Sequence, residues 1–210
     1  MAFLHVKINC FMPSFYSKKT PRRITKRKIN PEFTTAIRAA KMIRVCAANM
    51  PPDRSRFHRL AKFILHHVIQ ADILHQPGER QLLRQHLKVF EGYEFDPAVP
   101  VSTYLKGDIT LSKNDIISVT IPFPEIIYPE HACFCKIILL GVGADLQTFT
   151  TTTMHTAATS WIALNDEPRQ PVYLEICNDH PLFIALGIAY ANNEAVSTIC
   201  QSVKIIAVNR

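Results

Sequence analysis

Apolar residues recur at three- and four-residue spacing in the first half of the chain. In the second half they recur every second residue, and this change of period predicts the fold. Phe33, Ile37, Ala40, Ile43 and Ala47 lie on one face of a helix that Asn30 caps, Pro31 opens and Pro51-Pro52 ends. A second helix starts from Asp53 and presents Phe57, Leu60, Ile64, Val68 and either Ile69 or Ala71 as its apolar stripe. His75-Gln76-Pro77-Gly78 reads as a turn. A third, shorter helix is expected from Glu79 to Phe90, with Leu82, Leu83, Leu87 and Phe90 inward and Gly92 closing it at positive φ.

After Pro97 and Pro100 the residues become Thr, Val, Ile, Tyr and Phe, with turn signals between short runs. Candidate strands are Val101–Leu105, Ile116–Ile121, Cys133–Leu140, Gln147–Met154, Ser160–Leu164, Val172–Cys177, Leu182–Ala191 and Ser197–Val208. Turns are expected at Gly141–Asp145, Asn165–Gln170, Asn178–Pro181 and Asn192–Glu194. The expected fold class is α+β. About three helices over residues 30–97 precede an antiparallel, immunoglobulin-like β-sandwich over residues 98–210, without the Cys…Trp…Cys framework of antibody domains. Trp161, the single tryptophan, is expected to anchor that sandwich, and Thr150–Thr153 to lie on an exposed or edge strand open to augmentation.

Composition changes the picture only through charge. The 210 residues are 48% apolar and 20% charged, which is globular and excludes a disordered or collagenous chain. The formal +7 is unevenly placed: residues 1–50 hold eleven bases and one acid, residues 51–97 seven and six, and residues 98–210 six and ten. Residues 1–29 form a basic, flexible arm in this reading. Within it Lys18, Lys19, Arg22, Arg23, Lys26, Arg27 and Lys28 accompany a single aliphatic side chain, Ile24, so residues 17–28 await a partner to order them.

The stretch from Asn30 to Asp96 resembles an uncharacterised bacterial protein family in which a basic N-terminus precedes a helical segment and a β-rich C-terminal half. The resemblance rests on AAKMIR at 39–44, DRSRFHRLAKFILHHVIQAD at 53–72, the Pro77-Gly78-Glu79-Arg80 turn and FEGYEFD at 90–96. Pro77 stands where the family carries the first arginine of an Arg-Gly-X-Arg turn. The resemblance implies a two-part architecture and no assigned activity.

Motifs for chemistry are sparse. His131, Cys133 and Cys135 alternate as zinc ligands on one strand face would, with Cys177-x-x-His180 as the second pair; the alternative is that both cysteines are small core residues, and no metal is assigned. His66 and His67 are adjacent on a helix and diverge by about 100°, so they cannot share an ion. Gly141-x-Gly143 is the nearest approach to a phosphate-binding turn, and it reads better as a hairpin. Asp179-His180 lacks a signposted serine. The chain is therefore read as non-enzymatic, with no cofactor and no small-molecule substrate indicated.

The six cysteines in a chain of this size point to a reducing, cytoplasmic setting. The residues from Met1 to Met12 lack a signal-peptide pattern, and no apolar run approaches the roughly 20 residues of a membrane span. The leading functional expectation is a structural or interaction protein. Its arm would bind an anionic protein surface or the acidic half of another copy, with a nucleic-acid-binding accessory protein, without sequence readout, as the alternative.

Overall fold

The structure is a computed structural model that describes residues 30–106, 108–114, 116–121, 125–164, 171–192 and 198–209. The basic arm and the turn expected at 165–170 lie outside the described residues. The chain mixes helices with antiparallel sheets, the sheets filling the C-terminal half.

Helix α1 spans Pro31–Ile43 and tightens into a 3₁₀ turn over Arg44–Ala47. Asn30 Oδ1 accepts the Glu32 N–H at 2.9 Å, as the capping pattern predicts. Its buried face differs from the expected stripe. Ala36, Ala39, Ala40, Met42 and Ile43 turn inward, while Phe33 is 46% exposed, because alanines let the helix approach its neighbours closely. Helix α2, Arg54–Ile64, begins at Asp53, whose carboxylate accepts the Ser55 and Arg56 N–H groups at 2.7 and 3.1 Å. It continues as a π turn over Leu65–Ile69, with Gln70 N bonded to Leu65 O at 3.0 Å. The wider turn brings both Val68 and Ile69 inside and leaves Ala71 exposed.

The expected third helix is replaced by an irregular stretch and a 3₁₀ helix, Arg84–Phe90. Two buried carboxylates hold the segment before it. Glu32 Oε1 accepts the Gly78 N–H at 2.5 Å, Asp72 Oδ2 the Gln81 N–H at 3.0 Å and Gln76 O the Glu79 N–H at 2.9 Å, so this segment is held as a turn on remote carboxylates. Gly92 does take positive φ, 90°, and its N–H reaches Ile205 O at 2.8 Å. Residues 101–104 form a single helical turn, α3, where a strand is expected, because Glu94 Oε2 accepts the Val101 N–H at 3.0 Å.

The strands are β1 Leu105–Lys106, β2 Thr110–Lys113, β3 Ile116–Ile121, β4 Glu125–Ile126, β5 Phe134–Asp145, β6 Thr150–Ala158, β7 Ile162–Ala163, β8 Val172–Cys177, β9 Phe183–Ala191 and β10 Thr198–Val208. The larger sheet has the order β10-β9-β5-β6, with β7 beside the start of β5. A second sheet has the order β2-β3-β8, and β1 pairs with β4. Every pairing is antiparallel.

The helices cover one face of the larger sheet, burying Ile138, Leu140, Phe183 and Ile205 against α1, α2 and Phe90. The second sheet covers the other face, where Ile137, Leu139, Leu186 and Ile188 meet Ile117, Val119, Leu174 and Ile176. Central strands covered on both faces read as unbroken apolar runs, which explains ILLGVGA in β5 and FIALGIAYA in β9.

Gly141 and Gly143 lie inside β5, not in a turn. A Cβ on Gly143 would sit 2.3 Å from Thr153 Oγ1, and one on Gly141 would sit 2.6 Å from Ile176 Cδ1, so close approach selects both glycines. The turn itself comes later, where Asp145 accepts from Gln147 N at 2.8 Å and Thr148 Oγ1 at 2.6 Å. β6 is an edge strand, as the threonine run suggests. Trp161 is only half-buried and packs at the helix-side core, with the Lys136 ammonium 5.1 Å from its ring, so it does not anchor the space between the sheets.

Candidate anion-binding surface

Between Asn30 and Gln70 the chain carries seven bases, Arg38, Lys41, Arg44, Arg54, Arg56, Arg59 and Lys62, against two acids, Glu32 and Asp53. Folding leaves the acids occupied. Glu32 is buried on Gly78, and Asp53 caps α2 while lying 3.4 Å from the Arg59 guanidinium. The Ser55 hydroxyl, with the Ser55 and Arg56 N–H groups, holds the Asp53 carboxyl below its usual range. Among the described residues Arg38, Lys41, Arg44, Arg54 and Lys62 have no carboxylate within ion-pair distance, and all five are exposed. Arg38 instead stacks on Phe149, 4.7 Å from its centroid.

An open cleft of about 800 Å³ separates the end of α1 from the start of α2. Arg44, Arg54, Arg56 and His58 line it beside Met50 and Phe57. Arg56 is anchored: one terminal nitrogen donates to Pro51 O at 2.8 Å, another lies 3.9 Å from Asp96, and Nε is buried without a partner. Arg44 lies 5.9 Å from the Phe57 centroid. Guanidinium groups beside an apolar wall, one of them anchored, suit a carboxylate or phosphate carried on a larger molecule.

Other sequence candidates are dispersed. His131 is exposed in the turn before β5, Cys133 is half-buried, and Cys135 is buried between the sheets, where loss of water pushes its thiol up to about 11. No group of three or more His, Cys, Asp and Glu that could hold a metal occurs among the described residues. His66 shares a hydrogen bond with Gln70 at 2.9 Å, and His67 stacks 4.7 Å from Phe63. Asp179 pairs with His155 of β6 at 3.0 Å, not with His180.

Lys18, Lys19, Arg22, Arg23, Lys26, Arg27 and Lys28 lie outside the described residues. The cationic end does not stop at Met50: Arg54, Arg56, Arg59 and Lys62 continue it to Gln70, and Arg54 and Arg56 meet Arg44 across the cleft. No helix among the described residues is long and apolar enough to cross a membrane.

No known protein family, curated protein or solved structure matches the chain. No activity reaches it by likeness, and its surface has to be interpreted from its own chemistry.

Proposed function

We propose that this chain is a non-catalytic interaction protein that grips an anionic surface with its cationic N-terminal third. The reading rests on Arg38, Lys41, Arg44, Arg54 and Lys62. They stand exposed without carboxylate partners among the described residues, and they follow directly on the seven cations of residues 17–28. Cations left unpaired maintain a potential of one sign, which attracts anionic partners largely independently of their shape. A second copy offers such a surface, since residues 71–210 hold nine bases and fifteen acids. The free thiols of Cys46, Cys133, Cys135 and Cys177 support a reducing, cytoplasmic setting. The two facing antiparallel sheets support an immunoglobulin-like assignment of the β half.

The test compares the full-length protein with a variant carrying Gln at Lys18, Lys19, Arg22, Arg23, Lys26, Arg27 and Lys28. Each is titrated with polyglutamate and with duplex DNA across a salt series, and light scattering follows self-association. Binding should weaken with salt and weaken further in the variant. For DNA, seven phosphate contacts give a slope of log K against log salt near −6, from about −0.9 per contact. A protein that stays monomeric and ignores both polyanions at low salt refutes the reading.

A further inference from the structure

Ile73 and Leu74 are 90% and 79% exposed, more than any other large apolar side chain among the described residues. They are adjacent, and they occupy the tip of a loop that is tied down from inside. The Asp72 carboxylate, fully buried, accepts the Leu74 N–H at 3.0 Å, bonds His75 Nδ1 at 2.7 Å and accepts the Gln81 N–H at 3.0 Å. Glu32, also buried, holds Gly78. The fold thus uses two buried carboxylates to hold two aliphatic side chains out in water. Held out in this way, the two side chains are placed to be buried by an apolar phase that meets the tip.

What that phase is follows from the charge beside it. Glu32 lies in the first turn of α1, so the chain that carries the seven arm cations joins the fold next to this loop. Lys28 is four residues from Glu32 and Leu74 four residues from Gly78, a reach of at most about 14 Å in each case. Arg84 and Lys88 add exposed cations on the following turn, with Glu79 the exposed acid between.

We propose that the Ile73–Leu74 tip inserts into an anionic lipid surface that the neighbouring cations hold. This deepens, and rests on, the reading of the cationic third as an anion-binding surface. A shallow apolar anchor beside a polybasic segment supplies the two signals that stable peripheral attachment needs. A protein partner fits less well. Interface anchors favour Trp, Tyr and Arg within a broad, largely buried patch, whereas this tip is two aliphatics with Gln70, His75, Gln76 and Glu79 as near neighbours in the chain.

Flotation of the full-length protein with vesicles of phosphatidylcholine alone, and of phosphatidylcholine mixed with phosphatidylserine, tests the assignment. The protein should float with the mixed vesicles only. Ile73→Ser with Leu74→Ser should lower its partitioning at least about tenfold while leaving thermal unfolding unchanged, because neither side chain is packed. Leu74→Trp should give a blue-shifted emission component on mixed vesicles, above the Trp161 background. Unchanged flotation of the double serine variant overturns the proposal, as does equal binding to both vesicle types. Polyglutamate binding without vesicle binding overturns the lipid assignment and leaves the proposed function standing; loss of self-association on replacing the tip, without flotation, makes it a protein contact instead. Failure on polyanions and vesicles together removes both.

Discussion

Phe90→Ala tests whether the helices and the larger sheet are one cooperative unit. The ring is fully buried, 5.2 Å from Phe63 of α2 and 5.7 Å from Phe183 of β9, in an edge-on contact at 84° to the latter. It therefore bridges the two layers. Removing a buried phenyl group costs about 3–5 kcal/mol in all, lost burial, residual cavity and lost ring contacts together. Against a total stability of about 5–15 kcal/mol for a domain, that is a large fraction. At about 2–4 °C per kcal/mol for a chain of this size, the melting temperature should fall by roughly 6–20 °C. Urea unfolding followed both by far-ultraviolet circular dichroism and by Trp161 fluorescence should show coincident transitions that shift together in the variant. A helical transition that moves while the fluorescence transition stays in place would show that the helices do not share the sheet's core, and the argument from Phe90 would be wrong.

Three further outcomes follow from local geometry. Gly143→Ala should lower the urea midpoint by the equivalent of about 1–3 kcal/mol, since its Cβ would meet two threonine hydroxyls at 2.3 and 2.7 Å within β5 and β6. Asp72 is held from its ordinary 3.8 down to about 2, chiefly by the Gln81 N–H and then by His75 and Leu74. Its folded pKa is the lower one, so its contribution is complete above about pH 4 and is lost as pH falls toward 2. Melting temperatures of Asp72→Asn and wild type should therefore converge over that window, and a constant gap would disprove the linkage. Cys46 is fully buried with its thiol pushed up to about 12, whereas Cys177 is exposed. A thiol reagent on the native protein should modify Cys177 first, as peptide mass mapping would show, and prior labelling of Cys46 would contradict that burial.

Features fixed by near neighbours were legible in the sequence. Asn30 and Asp53 cap helices through bonds two or three residues away, and Gly92 needs only its own positive φ. Features fixed by remote partners were not. Glu79–Leu83 has a helical pattern, yet Asp72 claims Gln81 from nine positions back and Glu32 claims Gly78 from 46 positions back. Gly141 and Gly143 resemble a turn because glycine marks both turns and tight packing, and only the position of β6 and β8 tells the two apart. The π turn at Leu65–Ile69 shifts the inward face of the second helix by an amount no fixed period contains. For the candidate site, the arm was visible as a charge run. The cleft arginines become a surface only when α1 and α2 are brought together.

The way this chain spends its carboxylates explains why such a surface persists. Of the seven acids between Asn30 and Pro97, six accept a backbone N–H: Glu32 from Gly78, Asp53 from Ser55 and Arg56, Asp72 from Leu74 and Gln81, Glu91 from Val208, Glu94 from Val101, and Asp96 from Ala98. Bonds of this kind cap helices and pin loops, and they fix each carboxylate where the backbone needs it. Three of these carboxylates also pair with partly buried bases, Asp53 with Arg59, Asp96 with Arg56 and Glu94 with Lys204, and none of these pairs involves Arg38, Lys41, Arg44, Arg54 or Lys62. Formal counting over residues 51–97 gives near-neutrality and suggests mutual cancellation. The contacts show instead that the acids serve the fold and pair with Arg56 and Arg59, while Arg54 and Lys62 are left to the surface. Glu32 and Asp72, which hold the Ile73–Leu74 loop, are fixed in the same way, on backbone N–H groups and not on the exposed bases.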